Sequence, residues 1–251
     1  MTPQDILARV LYRDGLILVI DKPHGIAVHR GPKGGASLED DFEHLRFGLP
    51  RKPALAHRLD RETSGCLVLG RHHKALEKLG KLFKAGRVAK TYWAVVEGGP
   101  EATEGFIDKP LGRRDPTRGW WMKVDAQGQP AQTRWRALGR GVLGGKRLAW
   151  LEMAPLTGRT HQLRVHAASE GWPILGDSIY GARPLDGPRL HLHARRVEIP
   201  LKNGAPPIVV EAPPPEHMAE ALAACGWADR EAACGAAADG ADRRRETGSS
   251  P

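Results

Sequence analysis

His57-Arg58-Leu59-Asp60-Arg61-Glu62-Thr63-Ser64-Gly65 runs directly into Cys66-Leu67-Val68-Leu69-Gly70. The second part is an apolar run short enough for a buried β-strand. The first part sets one carboxylate between two arginines and ends in small, hydroxylated residues that favour a turn. Asp60 is therefore expected on a loop at the edge of a sheet, where catalytic groups tend to be mounted. Flanking guanidinium groups favour the ionised form of a carboxylate, which suits a nucleophile better than a general acid at neutral pH. The competing reading is structural, since aspartate often does no more than accept turn hydrogen bonds.

Working outward, Leu16–Ile20 reads as a strand ended by the turn Asp21-Lys22-Pro23-His24-Gly25. Lys90-Thr91-Tyr92-Trp93-Ala94-Val95-Val96 is rich in β-formers and reads as another strand. Ser37 with Asp40 resembles a capping pair opening a short helix through Leu45. A longer helix is expected over His72–Lys84, with Leu76, Leu79 and Phe83 on one face. In Leu156-Thr157-Gly158-Arg159-Thr160-His161-Gln162-Leu163-Arg164-Val165-His166, Thr160 is the expected N-cap, Arg164 lies about one turn into the helix, and Gly171 is its stop. Further strands are expected at Ala131–Leu138, Arg147–Met153, Leu190–Ile199 and Ile208–Val210. Strands without regular βαβ alternation predict an α+β fold with a mixed, mostly antiparallel sheet.

The chain has 251 residues and a net charge of +9, which points to an acidic polymer as partner. From Pro213 onward there are four arginines and no lysine against seven acidic residues, a net of −3, leaving +12 on residues 1–212. Eleven of the 23 residues from Ala219 to Ala241 are alanine. The expected division is thus a folded body within residues 1–212, organised from about Leu7, and a largely disordered tail over 213–251 with one short helix at Glu216–Cys225. Gly112–Gly128 reads as a hairpin in which Arg113, Arg114, Arg118 and Lys123 interleave with Trp120 and Trp121. Such a pattern can grip phosphates and stack bases, or its tryptophans can simply pack on the body. Cys66, Cys225 and Cys234 form no metal-ligand or CxxC spacing. With no signal-peptide pattern and no long apolar run, a cytoplasmic protein with no membrane contact is expected. A monomer is the default. Neither a nucleotide-binding loop nor a metal cluster appears, so no cofactor and no metal are expected.

Four of these segments together resemble the RluA-type RNA pseudouridine synthases. HRLD, two variable residues and TSG match the family's catalytic motif. Asp21–His29 is similar to its N-terminal motif, Lys90-x-Tyr92 to its tyrosine strand, and Leu156–His166 to its C-terminal motif. The order is the family's, and the resemblance spans about four-fifths of the chain, as in short members lacking an N-terminal S4-type module. It implies the pseudouridine synthase fold with a central RNA-binding cleft. It also implies isomerisation of uridine to pseudouridine in transfer RNA or large-subunit ribosomal RNA. By the same resemblance Asp60 is the nucleophile, Tyr92 stacks on the target uracil or assists proton transfer, and Arg164 pairs with Asp60. Arg58 fills the space left by the extracted uridine, and Leu163 packs beneath the base. His57, Arg61 and Arg159 complete the expected substrate-binding set. For His161 and His166 the favoured reading is a surface or hydrogen-bonded histidine, since their spacing of five does not suit a zinc helix. Two other functions stay open at this point: an RNA-binding or ribosome-assembly factor with a vestigial site, and a hydrolase using Asp60 with His57 or His161.

Overall fold

The computed structural model describes residues 1–31, 34–115, 121–181, 187–202 and 204–228. In chain order the elements are α1 (Pro3–Leu7), β1 (Val10–Arg13), β2 (Ile17–Lys22), a 3-10 helix (Leu38–Leu45), β3 (Ala54–Leu55), β4 (Ser64–Gly70) and α2 (His73–Lys84). Then come β5 (Ala89–Glu97), β6 (Glu104–Asp108), β7 (Leu111–Arg113), β8 (Met122–Val124), β9 (Gln132–Leu143), β10 (Lys146–Pro155) and α3 (Gln162–Ser169). β11 (Leu192–Ile199), β12 (Ile208–Glu211) and α4 (Glu216–Ala224) complete the series.

Ten strands form one sheet in the order β1-β2-β4-β11-β5-β10-β9-β6, with β12 on β11 and β3 on β4. Every pairing described is antiparallel except β4 with β11, where Ser64 faces His193 and Gly65 faces Ala194. The expected α+β class with a mixed, mostly antiparallel sheet is what the chain adopts. The sheet is buried on both faces at its centre, which is why its strands read as unbroken apolar runs. In β4, Cys66 and Val68 join one core cluster and Leu67 and Leu69 another. β5 repeats the pattern, with Ala94 and Val96 on one side and Val95 on the other. Gly65 has φ +105°, and a Cβ there would collide with the Ala194 carbonyl. The glycine of the TSG turn is thus what lets the Asp60 loop enter the sheet beside β11.

Several boundaries differ from the sequence expectation. β2 continues through Asp21 and Lys22, so the turn begins at Pro23. The core face of α2 is Ala75, Leu79 and Leu82, while Leu76 and Phe83 are half-buried. The segment at Ser37 is a 3-10 helix, and the Asp40 carboxylate accepts the Ser37 backbone N–H at 2.9 Å. Ile6 is fully buried, so the body includes α1. It also extends past Ala212: Met218, Ala221, Leu222 and Cys225 pack against Val95, Leu148 and Trp150. Gly139 and Gly141 admit the end of α4 so closely that a Cβ would strike the Cys225 and Ala224 carbonyls. The folded body therefore continues to Trp227, which packs on Trp93, and residues 229–251 of the expected tail lie outside the described residues. β7 and β8 form a separate two-stranded hairpin. Its Trp121 is exposed beneath the Arg114 guanidinium, while Arg118 and Trp120 lie outside the described residues.

Candidate active site

The loop before β4 and the segment leading into α3 meet over a cavity of about 630 Å³. Asp60, Tyr92, His161 and Arg164 line it, with Leu59, Val88, Leu163 and Leu192 among its apolar walls. Asp60 is the only acidic residue among those lining it. The loop carrying Asp60 precedes β4, an interior strand of the sheet.

Backbone contacts hold this loop. The Asp60 carbonyl accepts the Thr63 N–H at 3.1 Å, and the Arg61 carbonyl accepts the Gly25 N–H at 3.0 Å. Lys22, fully buried at the end of β2, donates its ammonium to the carbonyls of Pro23 at 2.8 Å and Arg61 at 3.0 Å. Burial pushes the Lys22 amine down to about 7. The Asp-Lys-Pro-His-Gly turn is thus a clamp on the Asp60 loop.

The two flanking arginines are placed differently. Arg61 is not among the residues lining the cavity; its Nε donates to the Gly25 carbonyl at 2.9 Å and its side chain is largely exposed. Arg58 is exposed and lines the cavity. His57 lines it too, but as a wall: its Nε2 accepts the Val68 N–H at 3.0 Å, and its ring stacks on Phe83 at 4.6 Å between centroids. Burial, then the nearby Lys90 ammonium, push His57 down to about 3, so it is a neutral acceptor at ordinary pH.

The second segment is braced by its side chains. Gln162 donates Nε2 to the Gln132 carbonyl and Thr133 hydroxyl, and its Oε1 accepts from the Thr157 hydroxyl and the Arg159 N–H. Arg159 lines the cavity, yet donates Nε to the Pro130 carbonyl at 3.0 Å and a terminal N–H to Gln129 Oε1 at 2.8 Å. His166 is fully buried between the Thr133 hydroxyl and the Lys109 carbonyl. The helix begins one residue later than expected. His161 is the N-cap with φ +53°, and no side chain caps the helix. Gly171, at φ +83°, ends it as expected. Leu163, 6% exposed, joins the core at the cavity wall.

Arg164 corrects the expected Asp60–Arg164 pair. Its Nε and one terminal nitrogen each donate at 2.7 Å to the two oxygens of Asp177, and both side chains are buried. Asp177 Oδ1 also accepts the Ile179 and Tyr180 N–H groups, which fixes the carboxylate in a planar fork that suits guanidinium. Burial opposes the charge on Arg164, but Asp177, with Asp60 behind it, holds its pKa above the usual arginine value. Burial likewise opposes the Asp177 charge, and the Arg164 contacts outweigh it and hold that carboxyl below its usual range. Tyr92 is half-buried where two core clusters meet, and burial together with the Asp60 charge raises its hydroxyl pKa.

Three residues here escaped sequence reasoning, Lys90 as a cavity cation, Asp177 and Tyr180, and His161 was weighed only as a hydrogen-bonded histidine or a hydrolase partner of Asp60. Lys90 lines the cavity, and burial lowers the pKa of its ammonium. His161 is buried, with Nε2 3.9 Å from Asp60 Oδ2 and Nδ1 2.8 Å from the Tyr180 hydroxyl. The histidines are hydrogen-bonded as the bland reading held, although His161 also touches the carboxylate. Among the described residues no three His, Cys, Asp or Glu side chains gather as a metal site, and no helix is long and apolar enough to cross a membrane.

A carboxylate, a phenol, a guanidinium and apolar walls make a pocket for one flat heterocycle removed from its stack. Comparison with known proteins agrees. The model of the RNA pseudouridylate synthase family matches residues 16–169. An uncharacterized RNA pseudouridine synthase of Zymomonas mobilis is 44% identical over 215 residues, covering 84% of this chain and 96% of that protein. The ribosomal large subunit pseudouridine synthase C of Vibrio cholerae is 33% identical over 223 residues, covering 85% of this chain and 68% of that one. The solved structure of human RNA pseudouridylate synthase domain containing 4 superposes with a TM-score of 0.73 at 26% identity, over 89% of this chain and 95% of that one. The chain belongs to the RNA pseudouridylate synthases of the RluA type, isomerases that convert uridine in RNA to pseudouridine.

Proposed function

We propose that Asp60 is the nucleophile of this isomerisation and that the substrate is a uridine of large-subunit ribosomal RNA or transfer RNA. The single observation carrying the first part is that Asp60 is the only acidic residue among those lining the 630 Å³ cavity. The reaction breaks the N1–C1′ bond of uridine, turns the base, and joins C5 to C1′; C5 loses its proton and N1 gains one. Leu163 and Tyr92 face the base, Arg164 stabilises negative charge near Asp60, and the apolar walls keep water from the detached uracil. Arg58, Lys84 and Lys90 line the cavity and supply positive charge for RNA phosphates. The names of the Vibrio cholerae and Nitrosomonas europaea relatives, ribosomal large subunit pseudouridine synthases C and D, favour ribosomal RNA. The buried, unpaired Cys66 and Cys225 fit work in a reducing cytoplasm. A monomer is the expected state.

The test is tritium release from C5-labelled, unmodified transfer RNA and ribosomal RNA, with Asp60→Ala run in parallel. Release from one RNA class, lost in the variant, is expected. Release by Asp60→Ala at the normal rate overturns the nucleophile, and release from neither RNA overturns the substrate assignment. Free uracil as product would instead identify a hydrolase.

A further inference from the structure

His161 stands between the carboxylate and a tyrosine that sequence reasoning did not single out. Its backbone adopts φ +53°, a left-handed conformation that non-glycine residues enter at a cost and that gathers at functional sites. That conformation sets the ring with Nε2 3.9 Å from Asp60 Oδ2 and Nδ1 2.8 Å from the Tyr180 hydroxyl. Tyr180 is itself fixed. Its oxygen accepts the Met122 N–H of β8 at 3.0 Å, its own N–H donates to Asp177 Oδ1 at 3.0 Å, and its ring lies 5.4 Å from the Arg164 guanidinium carbon.

These contacts select a tautomer. A phenol oxygen that has accepted the Met122 N–H still has its own proton to donate, and Nδ1 is in reach. Nδ1 is then the acceptor, and the single proton of a neutral imidazole resides on Nε2, toward Asp60. The reverse tautomer would aim the Nε2 lone pair at a carboxylate, which is repulsive. Burial lowers the pKa of His161 and so favours its neutral form, with the Asp60 charge opposing and Arg164, Asp177 and Arg58 also acting on the ring.

We propose that His161 is a positioning residue for Asp60: its Nε2–H holds one carboxylate oxygen, Tyr180 fixes the tautomer, and the β7–β8 hairpin holds Tyr180 through the Met122 N–H. This rests on Asp60 being the nucleophile. At 3.9 Å the contact is loose, as catalytic hydrogen bonds often are before substrate binds, and it tightens when the nucleotide fills the cavity. The hairpin also carries Arg114 and Lys123, so RNA docked on it acts on the same chain of contacts.

The test separates positioning from structure by stereochemistry. Glutamine places an amide nitrogen near the Nε2 position, whereas asparagine places one near Nδ1. Asparagine is the residue better suited to a left-handed backbone. Stability therefore ranks His161→Asn at or above His161→Gln, and positioning ranks their activities the other way. Under single turnover on one C5-tritiated RNA, His161→Gln should stay within about threefold of the parent, and His161→Asn should fall by at least about thirtyfold with KM unchanged. Tyr180→Phe, which removes one hydroxyl, should fall about tenfold. Equal rates for the two His161 variants, or rates that follow their thermal midpoints, overturn the proposal. Asp60→Ala distinguishes the two layers. If it is inactive while His161→Asn turns over normally, only this inference fails; if it is active, the nucleophile assignment fails.

Discussion

The two segments that meet over Asp60 are built in opposite ways. Around Asp60 the loop is held mainly through its backbone: the carbonyls of Asp60 and Arg61 accept from Thr63, Gly25 and Lys22, with the His57 and Arg61 side chains bracing its two ends, while the Arg58 and Asp60 side chains face the cavity. In 157–166 the polar side chains are themselves the braces, with Thr157, Arg159, Gln162, Arg164 and His166 each tied to a partner outside the helix. One side of the pocket presents chemistry and the other is a wall. A side chain released from structural duty can be spent on substrate, whereas a braced one keeps the geometry within the tolerance catalysis requires.

The contrast is broken or sharpened by separating activity from stability. Asp60→Asn should lower single-turnover isomerisation by more than about 10³-fold while leaving the urea midpoint unchanged. On the wall, Asp177→Asn should do the reverse in emphasis. It leaves Arg164 buried without its counter-charge, so unfolding free energy should fall by about 3–5 kcal/mol, with activity falling as well. A wild-type midpoint for that variant would mean the pair is not a brace.

Acid should destabilise the fold through its neutral histidines. His57 is half-buried and His191 and His193 are buried, and desolvation pushes their pKa values to about 3, 4 and 4. The unfolded chain takes up these protons near pH 6.5 and the native state does not. Stability contributed by the neutral rings is therefore whole above pH 6.5 and declines as pH falls toward 4, by on the order of 1–2 kcal/mol per histidine at pH 5. Asp21, which burial raises to about 6, works in the opposite sense between its two pKa values. With three groups against one, the urea midpoint should be lower at pH 5 than at pH 7; a flat or rising profile contradicts the neutral assignment.

The smallest effect belongs to the cavity rim. Lys90→Met should raise KM several-fold with kcat little changed, and the slope of log affinity against log salt should lessen by about 0.7, the share of one single-strand phosphate contact. Lys81→Met on the outer face of α2, where Lys81 pairs with Glu77 at 2.7 Å, should leave both unchanged.

What was legible in the chain follows from how local each determinant is. β4 and β5 could be read because both faces of each are buried, so the apolar run itself carries the information. The Asp60 loop was legible from its residue types in a row. The true partner of Arg164 was not, because Asp177 lies thirteen residues on in a loop, and no periodicity links them. Arg61 and Arg159 look like RNA contacts in sequence, which gives no sign that the Nε of each also donates to a backbone carbonyl, since any exposed carbonyl can invite a guanidinium. The N-cap moved from Thr160 to His161 because a left-handed histidine is a tertiary outcome that propensity does not encode. The α4 boundary did leave a trace: Met218, Ala221, Leu222 and Cys225 fall at helical spacing within the alanine-rich stretch, and these are the residues that bury.

The most direct test of the central claim is to measure single-turnover tritium release and the urea midpoint on the same preparation of Asp60→Asn. Abolished release from an RNA the parent modifies is expected, with RNA binding and the midpoint at parental values. Release at the parental rate would contradict the claim, and so would a loss of activity that tracks a lowered midpoint.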